Sequence, residues 1–76
     1  MIDATSFRRR FGHLHFNSVC GRYVLDGWEL HCGDSFQVRS GSQWLDVRIE
    51  MGMGNVWFLF GLSTLSLDGL EARSHD

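Results

Sequence analysis

The sequence predicts a mainly β domain, a small SH3-like antiparallel β-barrel of five or six short strands, on three observations. Turn-forming residues recur at short intervals: Gly12, Asn17-Ser18, Asp26-Gly27, Gly33-Asp34, Ser40-Gly41-Ser42, Gly52 to Asn55, Gly61 and Asp68-Gly69. Between several of them apolar and polar residues alternate with period two, which puts successive side chains on opposite faces of a strand. No stretch carries a convincing helical stripe. Leu62 to Arg73 has some apolar spacing of three, but Gly69 and the serines weaken it.

The elements follow in order. Met1 to Ser6 lack periodicity and are expected to fray, as are Ser74 to Asp76, leaving one domain across 76 residues. His13 to Phe16 reads as a strand with Leu14 and Phe16 in the core. Tyr23-Val24-Leu25 and Trp28-Glu29-Leu30 flank Asp26-Gly27, a type I′ hairpin signal. The Gly33-Asp34 turn then feeds a strand in which Phe36 and Val38 alternate with Ser35, Gln37 and Arg39. In the next strand Leu45, Val47 and Ile49 oppose Trp44, Asp46, Arg48 and Glu50. Val56 to Phe60 is apolar on both faces, which predicts a central strand, one covered on both sides, or an interface. Leu65 and Leu67, then Leu70 and Ala72, are placed to close the sheet. So short a chain buries the apolar face of such strands most economically by curling the sheet on itself. An oligonucleotide-binding-type barrel is the alternative, and it usually needs more residues.

Size and charge narrow the classes of function. At this length only about 60% of the unfolded surface can be buried, so a homodimer is one route to further stability. All seven basic residues are arginine, and the formal net charge is −2, which weakens general nucleic-acid binding. Arg8, Arg9 and Arg10 cluster near the start, whereas Asp26, Glu29, Asp34, Asp46, Glu50, Asp68 and Glu71 make the body acidic. Such a body suits a partner that normally holds nucleic acid; the plainer reading is solubilising charge on outward strand positions. Cys20 and Cys32 form no Cys-x-x-Cys motif. With no secretory signal and no apolar run of membrane-spanning length, a cytoplasmic protein with reduced thiols and no membrane contact is expected.

Candidate sites are few. His13 and His15 could bind a metal with Cys20, His31 or Cys32, but their spacing does not fit a structural zinc site, so neither metal nor cofactor is expected. Cys32 reads as a buried small hydrophobe, because the adjacent His31 would point to the opposite face of a strand. No nucleophile elbow, phosphate loop or carboxylate pair in an evident pocket appears, so no catalytic residue is assigned. Arg8, Arg9 and Arg10 between Phe7 and Phe11 mix cations and aromatics as nucleic-acid arms do; the alternative is pairing with carboxylates. Trp44 shares its face with Asp46, Arg48 and Glu50. It is therefore a binding hot spot, unless the register slips there through a bulge or the ring caps an open end of the barrel. Trp28 and Trp57 read as core or barrel-end residues.

Tyr23 to Leu25, Trp28 to Asp34, Phe36-Gln37-Val38, Trp44 and Arg48-Ile49-Glu50, followed by Trp57 and Leu70 to Arg73, resemble a family of short bacterial proteins of unknown function. Its pattern is "LHCGD", then "W", then "RIE", and its members are often carried on phages and plasmids. The resemblance implies a non-enzymatic accessory protein that acts by binding a host protein complex, in the manner of anti-CRISPR inhibitors of a surveillance complex. Asp26, Glu29, Asp34, Asp46 and Glu50 would then stand in for phosphates, with Trp44 as anchor. Direct nucleic-acid binding through Arg8 to Arg10, or peptide binding as by SH3-like regulatory modules, are the alternatives.

Overall fold

The computed structural model describes residues 9–63 and 66–75. Met1 to Arg8, Leu65 and Asp76, to which expectations were attached, lie outside them. The described residues form eight strands: β1 (Phe11–His13), β2 (His15–Asn17), β3 (Arg22–Leu25), β4 (Trp28–Glu29), β5 (Ser35–Ser40), β6 (Gln43–Met51), β7 (Trp57–Phe60) and β8 (Glu71–Arg73). They make a five-stranded sheet of order β1-β8-β5-β6-β7 and a three-stranded sheet of order β2-β3-β4, with every pairing antiparallel. The mainly β, antiparallel class is the one the sequence predicts.

Two details differ from the expected barrel. The sheets are not closed, and the strands number eight instead of five or six, in part because the expected His13 to Phe16 strand is broken at Leu14. Leu14 donates its amide to the Leu70 carbonyl (2.8 Å) and accepts from Gly69 (2.7 Å), so the chain leaves one sheet there and enters the other. Leu14 itself is buried, but Phe16, expected in the core, is exposed and packs edge-on to Tyr23.

The core lies between the sheets. Leu14, Leu25 and Leu30 come from the small sheet and its flanks; Phe36, Val38, Val47, Ile49, Leu59, Leu67 and Ala72 come from the other side. Alternation decides which side chains enter it. In β5 Phe36 and Val38 are fully buried while Ser35 and Arg39 are exposed, and in β6 Val47 and Ile49 are buried while Asp46 and Arg48 are exposed. Each such large apolar side chain contributes about 1.5–3 kcal/mol relative to exposure. Trp28 packs edge-on to Phe36 across the core at 6.4 Å, and with Trp57 it borders the core as expected.

The turns follow their residues. Asp26 (φ 49°) and Gly27 (φ 79°) both take positive φ, as a type I′ turn demands. Gly61 (φ 107°) passes so close to β6 that an added Cβ would lie 2.6 Å from the Asp46 carbonyl oxygen, so only glycine fits.

Three further placements correct the sequence reading. Cys32 is exposed, because His31 to Asp34 form a turn docked on β6 through Gly33 N–H to Ile49 O (2.8 Å) and Ile49 N–H to Asp34 O (3.0 Å). A turn does not alternate as a strand does. β7 is neither central nor covered on both sides: it ends the five-stranded sheet with Phe58 and Phe60 exposed. Ser74, expected to be loose, is tied to Arg10 by hydrogen bonds from Arg10 N–H to Ser74 Oγ (2.7 Å) and from Ser74 N–H to Arg10 O (2.9 Å). No helix among the described residues is long and apolar enough to cross a membrane.

Candidate functional site

The outer face of the five-stranded sheet collects half of the acidic and aromatic candidates. β6 presents Trp44, Asp46 and Glu50 together on it, because residues two apart share a face. Around Trp44 the neighbouring strands bring side chains that sequence reasoning did not connect with it. Arg73 of β8 stacks its guanidinium over the indole at 4.2 Å, Arg39 of β5 lies 6.0 Å from it, and Phe11 of β1 meets it edge-on at 5.9 Å. Trp44 is consequently half-buried by its own neighbours. The β5–β6 register runs unbroken through Trp44, so no bulge occurs there, and the sheets are not closed, so there is no barrel end for it to cap; the ring stays on the solvent side of the sheet while cations cover part of it. Arg39 could have been found from its place opposite Trp44; Arg73 and Phe11 could not, because their pairings join the two ends of the chain.

Polar contacts order the same face. Arg73 Nε donates to Gln37 Oε1 (2.8 Å), Gln37 Nε2 donates to Asp46 Oδ1 (3.0 Å), and His75 Nε2 lies 3.8 Å from that same carboxylate. Asp46 is still largely open to solvent, with its side chain 77% exposed. Glu50 is paired instead, at 2.7 Å from Arg48 Nε, and Arg48 also lies 5.0 Å from the exposed ring of Phe60. Arg39 and Glu71 make a looser pair at 3.9 Å. The face thus interleaves arginines with carboxylates. A shallow groove of about 300 Å³ runs between Ser35, Asp46, Arg48, Phe60 and His75.

The other candidates lie elsewhere. Asp26 occupies the β3–β4 turn and Glu29 is exposed on β4, both on the small sheet. Asp34 is half-buried, and its Oδ2 accepts the His31 amide at 2.8 Å, so it holds the turn together. The five carboxylates therefore do not share one face. Of the arginine cluster, Arg8 lies outside the described residues. Arg9 Nε donates to Ser74 O (3.1 Å), and Arg10 NH1 donates to Asp26 O (2.8 Å). His13 and His15 fall on different strands, both exposed, and no group of three or more His, Cys, Asp or Glu able to hold a metal ion occurs among the described residues. Among the described residues, Tyr23 is the one group displaced clearly from its ordinary acidity. Burial raises its phenol above the ordinary value, and the negative charge of Asp68 adds to this.

Fold and face together define a small, open, two-sheet antiparallel β-domain with an ordered aromatic and arginine surface. Residues 12–74 match the family described as Domain of unknown function (DUF5348), and the chain belongs to that family. The match begins ahead of Tyr23, where the sequence pattern becomes recognisable, and includes all of β2 and all of β1 but Phe11. The fold is similar to that in a crystal structure of a protein from Ruminococcus gnavus, with 38% identity and a TM-score of 0.71 over 87% of this chain and 99% of that one. No curated protein matches the chain.

Proposed function

We propose that the protein is a non-enzymatic protein-binding module that meets its partner through the outer face of the five-stranded sheet, with Trp44 as anchor. The observation that supports this is the arrangement of Arg73, Arg39 and Phe11 around a solvent-side indole. Tryptophan and arginine dominate binding hot spots, and side chains already ordered by neighbours lose less freedom on docking.

The partner proposed is a host protein complex that handles nucleic acid, inhibited by occupation of its basic surface as anti-CRISPR proteins do. The resemblance to mobile-element proteins, the carboxylate Asp46 beside Trp44, and Glu50 further along the same face of β6 support this reading. Asp46 is the carboxylate most open to such a contact, whereas Glu50 brings Arg48 with it, so the interface is mixed in charge and not a pure phosphate mimic. The internal bonds of Arg9 and Arg10 favour a protein partner over nucleic acid.

The test is capture from source-cell extract on the immobilised chain, followed by affinity measurement with the purified partner. Trp44→Ala is expected to weaken binding by about 2 kcal/mol or more, about thirtyfold in Kd. Reversing Asp46 and Glu50 to lysine together is expected to abolish retention. Undiminished binding by folded Trp44→Ala protein rules out this face, and undiminished binding by the double reversal rules out the carboxylate contact.

A further inference from the structure

We propose that the free edge of β7 pairs, antiparallel and about a two-fold axis, with β7 of a second copy of this chain, joining two five-stranded sheets into one. The proposal does not rest on the partner suggested above. β7 is the last strand of its sheet, and among the described residues Trp57 to Phe60 make no backbone hydrogen bonds beyond the ladder with β6. An edge of this kind offers unpaired N–H and C=O groups to any passing strand, and proteins normally blunt it with charge, proline or a covering element.

Two of the usual guards, proline and charge, are missing from this short edge. The chain contains no proline, and no charged residue occurs from Met51 to Leu67. Phe58 is 39% exposed, Val56 and Phe60 are each 61% exposed, and Met53 is 96% exposed. The opposite edge of the same sheet contrasts with this. β1 ends in His13 and is preceded by Arg9 and Arg10, so that edge carries the polar and cationic side chains that discourage pairing.

Charge selects a second copy as the occupant. A two-fold antiparallel pairing sets residue i opposite residue j and j opposite i, so any charge on the strand is brought twice into one short seam; like charges there are destabilising, and an uncharged edge carries no such cost. The exposed surface of Met51, Met53, Val56, Phe58 and Phe60 on two copies amounts to on the order of 1,000 Å², comparable to the lower limit for a specific interface, and pairing covers the part of it that flanks the seam. A chain too short to bury much of its own surface gains from this. The joined sheet would also double the outer face that carries Trp44.

The test measures the full-length chain alone, with no partner present. Sedimentation at high micromolar concentration is expected to give twice the chain mass, and the Phe58→Lys/Phe60→Lys variant the chain mass. In the wild-type protein, amide exchange at Trp57 to Phe60 is expected to slow with rising concentration while β1 exchange does not. This second readout decides the matter even if the variant fails to fold. A wild-type monomer at that concentration, a folded variant that still dimerises, or β7 exchange independent of concentration each overturns the proposal.

Discussion

The two sheets are held in place by different means. The five-stranded sheet rests on β5 and β6, six and nine residues long, whose partners run in register from Ser35–Arg48 to Ser40–Gln43. In the three-stranded sheet no strand exceeds four residues and one has two. Short ladders of that kind are marginal alone. Side-chain-to-backbone bonds make up the deficit: Trp57 Nε1 to Gly21 O (3.0 Å), Arg10 NH1 to Asp26 O (2.8 Å), Arg22 NH1 to Leu30 O (3.2 Å), and Phe16 N–H to Asp68 Oδ1 (3.1 Å). The contrast explains where function can reside. Once alternation has buried the inner residues of β5 and β6, their outer side chains are left on the open face, where they pair with one another and with β8, whereas much of the polar chemistry of the small sheet is spent on attachment.

The strongest challenge to this contrast is Phe36→Ala. Phe36 is fully buried and meets Trp28 of the small sheet. Its truncation is expected to cost about 3–5 kcal/mol, a large share of the roughly 4–11 kcal/mol that a chain of this length holds. Urea unfolding followed by far-ultraviolet circular dichroism and by tryptophan fluorescence should shift as one transition. Two separated transitions would mean that the small sheet is an independent unit, which short ladders do not allow.

The same contrast marks what the residues reveal without coordinates. β5 and β6 and their inner and outer faces are legible because alternation continues long enough to name a side for each residue. The Asp26-Gly27 hairpin is legible because few residue pairs accept positive φ twice. The switch at Leu14 is not, since it depends on Leu70 and Gly69, far along the chain. β7 could not be placed for a general reason: an apolar run has one appearance whether it is central, covered on both sides, or part of an interface, and only the sheet order removes the first two. Of the candidate face, Trp44, Asp46 and Glu50 could be read from one strand. Arg73 and Phe11 complete it only through the pairing of β1 and β8, three residues each, too short to show a period.

A narrower test separates attachment from cooperative packing. Trp57→Phe keeps an aromatic ring against the core but removes the Nε1–H donor, leaving the Gly21 carbonyl without it. The loss is expected to be about 1 kcal/mol, expressed locally as faster amide exchange at Arg22 to Leu25 with β5 and β6 unchanged. Equal acceleration in both sheets would show that packing, and not this bond, positions the small sheet.

The smallest effect concerns the last of these attachments, through Asp68. Its Oδ1 accepts the Phe16 amide, and its charge joins burial in raising the Tyr23 phenol above the ordinary value of 10.0. Below about pH 10 the phenol is protonated in both folded and unfolded chains, so the stability associated with the shift is fully present. As pH rises further the unfolded chain loses its proton first, and that stability is lost until the folded value is passed. Asp68→Asn keeps an oxygen for the Phe16 amide but removes the charge, leaving burial as the remaining cause. Tyrosinate absorbance, which reports this residue alone because Tyr23 is the only tyrosine, should therefore titrate lower in Asp68→Asn, with a smaller alkaline loss of stability. An unchanged midpoint would show that the charge does not act on the phenol and that Asp68 serves β2 only through its hydrogen bond.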